Sequence, residues 1–125
     1  MAALALYMKP TTEWIKDWHA GLQPRLETQA AGELLDIFQA FWSWSDLDAK
    51  SKSTKQRYAG SLHALGGYLV GEVGNGHRGN KSLQEFIMSY IDAEEGPLIY
   101  HDNEVWQKEL DTVCRKLHKY MASKC

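Results

Sequence analysis

The chain of 125 residues is 44% hydrophobic, holds five Trp and carries a formal charge of −2, enough apolar material for one domain (1–125) whose core needs no disulfide or metal. That charge excludes a surface that is basic throughout, as expected of a protein wrapped in nucleic acid. Two cysteines, Cys114 and Cys125, exclude a disulfide framework and fit a reducing compartment, so a cytoplasmic protein is expected.

In chain order, the apolar opening MAALALY is seven residues long and lacks a basic leader. It is expected to be neither a signal peptide nor a membrane span, and to pack as an N-terminal arm. Cap and period predict a first helix over residues 12–20, with Trp14, Ile15 and Trp18 on one side, stopped by Gly21 and followed by Pro24 in a loop. The same signals predict a second helix over 32–47, whose stripe of Leu34, Ile37, Phe38, Phe41 and Trp44 marks the centre of the core. Trp42 and Trp44 point about 160° apart on such a helix, so one of them should lie near the surface.

The third helix, residues 53–73, opens on a capping-box pattern, Ser53 with Gln56 three residues on. Tyr58, Leu62, Leu65, Leu69 and Val73 form its apolar stripe, and Gly60, Ala64, Gly67 and Gly71 lie on the far side. Glycine in a helix interior costs about 1 kcal/mol against alanine. A neighbouring helix lying flat on that small-residue face would offset the cost, so leucine at Gly67 is expected to unfold the domain; the alternative is a groove left open for a partner. Asn75 and Gly76 end the helix, and a turn-rich loop follows.

Ser82 and Glu85 repeat the capping box and open a fourth helix with Leu83, Phe86, Ile87, Tyr90 and Ile91 inward, broken at Gly96 and Pro97. Asp102 or Asn103 can cap a fifth, carrying Trp106, Leu110, Val113, Leu117 and Tyr120. Its acidic start at Glu104 and basic end at Arg115, Lys116 and Lys119 complement the helix dipole. With no strand alternation, the fold class is all-α, a compact bundle of four to five helices.

Positive charge is segregated. Residues 50–81 carry six Lys and Arg against one acidic residue, whereas residues 82–107 carry six acidic residues and no Lys or Arg. Lys50, Lys52, Lys55 and Arg57 gather at the start of the third helix, where free N–H groups and cations attract phosphate; these four are the candidate DNA-binding residues, against a plain solvated helix entrance. Arg78 and Lys81 follow that helix, about 30 Å away along an unbroken axis.

No catalytic or cofactor pattern stands out. Cys114 and His118 have the i, i+4 spacing of two metal ligands, but with no CxxC, HExxH or acidic cluster beside them Cys114 reads as a small buried apolar residue. A nucleophile elbow, a phosphate-binding GxxxxGK[ST] loop and a GxGxxG after a strand are all missing. A non-enzymatic protein without cofactor or metal is expected.

From residue 34 to 73, an aromatic helix, a polar link and then Lys52, Ser53, Thr54, Tyr58, Leu62, Leu65 and Leu69 resemble the SAM-like core-binding domain of tyrosine recombinases and phage integrases. Two further stretches, 62–70 and 96–121, look similar to small uncharacterised bacterial proteins, some associated with mobile elements. The first resemblance implies helices that clamp double-stranded DNA through phosphate contacts. It extends to no catalytic domain, since no histidine here begins an H-x-x-R box, and within the motif it departs from the family in that Ser53 and Thr54 are adjacent rather than spaced. The expected role is an accessory DNA-binding module of bacterial origin; the alternative is a protein-binding or homo-oligomeric module, in neither case attached to a membrane.

Overall fold

The computed structural model describes residues 9–19 and 21–123; the expected N-terminal arm lies outside them. Among the described residues the secondary structure is helical throughout: α1 Glu13–Asp17, α2 Pro24–Trp44, a 3₁₀ turn Leu47–Ala49, α3 Lys52–Gly74, α4 Leu83–Met88 and α5 Glu104–Ala122. The all-α bundle is as expected, and none of these helices is long and apolar enough to cross a membrane.

Helix α1 is shorter than its pattern, yet Trp14 within it and Trp18 at its C-cap are buried as anticipated. Helix α2 begins eight residues earlier than expected. Pro24 is its first residue rather than part of a loop, because proline's fixed φ suits the first turn and its missing N–H is one that a helix start leaves unbonded anyway. Buried Glu27 completes this start, accepting the Gly21 N–H at 2.9 Å and the Gln23 N–H at 2.7 Å. Gly32, read as a helix start, sits inside α2 with open space where a Cβ would point. Trp42 is 3% exposed and Trp44 45%, the divergence that 100° per residue dictates.

The cap of α3 is Ser51, not Ser53. Ser51 has the extended backbone an N-cap requires and its Oγ accepts the Thr54 N–H at 3.2 Å, whereas Ser53 is already helical. From there α3 runs unbroken for 23 residues, burying Leu62, Leu65, Leu69 and Val73 between α2 and α5. Ser82 and Glu85 do form a full capping box on α4, with bonds of 3.1 and 3.0 Å. That helix stops at Met88 because Ser89 turns its hydroxyl to Phe86 O at 2.6 Å and Asp92 Oδ1 gathers the N–H groups of Glu94 and Glu95, each at 2.8 Å. Tyr90 and Ile91 still pack inward from the turn. Asn103 caps α5, its Oδ1 accepting the Trp106 N–H at 3.0 Å.

The glycine face of α3 is not covered by a helix lying flat. Gly60 and Gly71 have nothing within 4 Å of a Cβ position, and Gly67 meets the edge of Trp18 at ordinary contact, Cδ1 at 3.4 Å and Nε1 at 3.9 Å. The tight contacts on α3 lie elsewhere: a Cβ on Gly66 would overlap the Trp18 ring, and one on Gly74 would crowd the Glu27 carboxylate. The expected packing on that face is therefore absent; the close approach is made at Gly66 by the indole of Trp18, the C-cap of α1, which moves the sensitive position from Gly67 to Gly66.

Candidate nucleic-acid interface

Lys50, Lys52, Lys55 and Arg57 all sit at the entrance to α3. Lys50, in extended backbone before the cap, Lys52 and Arg57 are exposed, and Lys55 is half-buried. None of the four is in an ion pair among the described residues, so their charge is unneutralised by a neighbouring carboxylate at bonding distance. They do not all face one way. Lys52 and Lys55 lie about 60° apart around the helix, while Arg57 is turned about 140° from Lys52.

The loop after α3 does not join this patch. An unbroken 23-residue helix separates its ends by roughly 33 Å. Arg78 is already engaged there, with Nη1 3.4 Å from Glu33 Oε2 and Nε donating to Lys81 O at 3.0 Å.

Helix α5 joins it instead. Lys116 Nζ lies over the Tyr58 ring at 5.7 Å from the centroid, and burial raises the Tyr58 hydroxyl pKa while Arg57 and Arg115 pull it down. One guanidinium from the start of α3 and another from the second half of α5 thus act on the same ring. Around it opens a groove of about 660 Å³ lined by Trp44, Tyr58, Arg115, Lys116, His118 and Lys119 among others. Arg115 is steadied at its edge by bonds to Glu94 O at 3.2 Å and Thr112 Oγ1 at 3.1 Å.

Arg57 faces a second groove, of about 770 Å³, with Ser53, Gln56, Gly60, Ser61, Tyr100, Trp106 and Glu109. Its wall is held by Gln107, whose Oε1 accepts the N–H groups of Ile99 at 3.1 Å and Tyr100 at 3.0 Å while its Nε2 donates to Pro97 O at 3.0 Å. This fastens the segment before α5 to α5 itself and sets Tyr100 edge-on to Trp106, 5.5 Å between centroids. Trp106 was expected in the buried stripe, yet it is 55% exposed. Gly60 presents no side chain to cover it.

The sequence predicts α5 as a helix but not its place beside the entrance of α3, nor the two aromatic walls. The one legible signal was the run of Arg115, Lys116 and Lys119, which periodicity explained as a dipole complement and which says nothing about what lies opposite. Among the described residues no three His, Cys, Asp or Glu side chains are grouped as metal ligands. Cys114 is fully buried, with burial and Asp111 pushing its thiol up to about 12. No family model, curated protein or solved structure matches this chain.

Proposed function

We propose that this protein is a non-enzymatic, accessory DNA-binding module that holds the phosphate backbone through the entrance of α3 and the second half of α5. The observation that carries this reading is Lys116 of α5 seated over the ring of Tyr58 on α3, in a groove that Arg115 and Lys119 also line. Lys50, Lys52 and Lys55 add further positive charge at the helix start, though Lys52 and Lys55 turn to other sides of it than Arg57, and outward N–H groups there add to the attraction for phosphate. The resemblance of residues 34–73 to integrase core-binding domains points the same way.

Binding of this kind releases counterions. With about five phosphate contacts the affinity for a short duplex should fall by roughly two to three decades between about 50 and 200 mM salt. Removing Lys52, Lys55 and Arg57 together should weaken binding to any sequence and flatten that dependence by about one unit of slope per charge lost. Fluorescence anisotropy with a labelled duplex reads both effects, and no binding at low salt would defeat the proposal.

A second reading, contact with another protein or a second copy of this chain, draws on Leu98, Val105 and Trp106, large apolar side chains exposed together around the start of α5. Sedimentation equilibrium distinguishes it: a concentration-dependent mass that Val105→Lys abolishes would favour this face as a subunit contact.

A further inference from the structure

We infer that the preferred ligand is a single strand of nucleic acid, whose bases stack on Trp44 and Trp106 while its phosphates lie along Arg57 and Lys116; the inference rests on the phosphate-binding reading above. Arg57 and Tyr58 are consecutive on α3 and turn about 100° apart, so each looks into a different groove. Either groove carries one half-exposed tryptophan, Trp106 beside Arg57 and Trp44 beside Tyr58.

Each indole is also backed by other rings. Trp106 stands against Tyr100, and Trp44 lies 5.2 Å from Tyr120 and 6.3 Å from Phe41, centroid to centroid. A backed, exposed indole next to a cation is the arrangement on which unpaired bases stack without regard to sequence. A duplex keeps its base faces covered by neighbouring pairs and can use the cations but not the rings. In the Arg57 groove, Glu109 and Gln56 place an acceptor and an amide where a base edge would lie, and a carboxylate there suits exocyclic amino groups rather than phosphate.

The test compares three labelled probes of one mixed sequence by anisotropy at low salt: single-stranded DNA, single-stranded RNA and the DNA duplex. Either single strand should bind about tenfold tighter than the duplex, the tighter of the two naming the source of the ligand, with quenching of tryptophan fluorescence on binding. Trp106→Ala and Trp44→Ala should each weaken single-strand binding by about tenfold and leave duplex binding unchanged, while phenylalanine at either position recovers most of the loss. Trp44 also packs on Phe41, so far-UV circular dichroism checks its variants, and Trp106 carries the test if Trp44→Ala is misfolded. Duplex binding as tight as single-strand binding, or a Trp106→Ala protein that holds single strands like the parent, overturns the stacking inference and leaves the phosphate reading standing. Failure of all three probes to bind overturns both.

Discussion

The indole of Trp18 donates to the carbonyl oxygen of His63 at 2.9 Å and covers Gly66 so closely that no Cβ fits beneath it. One side chain from α1 thereby holds the middle of α3 by a hydrogen bond and by a contact that only glycine permits. Trp14 and Phe38 meet the same ring edge-on at 5.9 and 6.0 Å, so Trp18 has little freedom to retreat.

Gly66→Ala should therefore destabilise the fold. Overpacking of about 1–3 kcal/mol outweighs the gain of about 1 kcal/mol in helix propensity. Gly71→Ala, where a Cβ meets open space, should be neutral or stabilising by up to about 1 kcal/mol. Thermal unfolding of the two variants beside the parent measures the contrast, and equal midpoints would show that the indole yields.

Glu27→Ala should cost roughly 1–3 kcal/mol, because it strips the acceptor from the Gly21 and Gln23 N–H groups at the start of α2. Glu27→Gln keeps one carbonyl acceptor and should lose less. Urea unfolding gives both values. Hydrogen exchange should locate the damage at the junction of α2 with the end of α3, where Gln23 Nε2 donates to Gly74 O at 2.9 Å.

Acid and alkali should act on one cluster from opposite sides. Burial works to raise the Glu72 carboxyl, but hydrogen bonds from Tyr90 and His77 outweigh it and hold the pKa below 4.5. A depressed carboxyl pKa contributes stability that is present above the unfolded value and lost as pH falls through the folded one. Burial, then the bond to Glu72, raises the Tyr90 hydroxyl above 10, so its contribution is present below pH 10 and lost as pH climbs past it. Glu72→Gln should flatten the acid limb of a stability profile, and Tyr90→Phe both limbs; unchanged limbs would remove the cluster from the account.

Cys114 should resist thiol reagents in the folded protein. Burial and the neighbouring Asp111 carboxylate push its thiol up to about 12, leaving almost no thiolate at neutral pH. In a Cys125→Ser background, labelling of Cys114 should follow the unfolding rate as denaturant rises. Prompt labelling in buffer would mean that the contact between Cys114 and Gly96 opens locally.

Much of the helical framework was legible because its signals are local. A stripe repeating every three or four residues names its own buried face, as Leu62, Leu65 and Leu69 do, and a cap reaches only three residues ahead, as Ser82 does to Glu85 and Asn103 to Trp106. Local signals mislead where two of them compete. Pro24 could end a loop or begin a helix, and the buried carboxylate of Glu27 decided it; Ser51 and Ser53 could each cap α3, and backbone conformation chose Ser51.

Local signals along the chain were enough for an all-helical fold, most of its aromatic core and the cluster of cations at Lys50, Lys52, Lys55 and Arg57. Only the packing of the helices shows that Gly66, Gly74 and Gly96 leave no room for a Cβ, that Trp106 stays half-exposed, and that α5 rather than the loop after α3 brings a cation to Tyr58. The physical reason is range. Helix periodicity and capping are settled within a turn or two of chain, whereas Trp18 over Gly66, Gln23 on Gly74 and Lys116 over Tyr58 join residues 48, 51 and 58 positions apart, and their meeting depends on how whole helices pack.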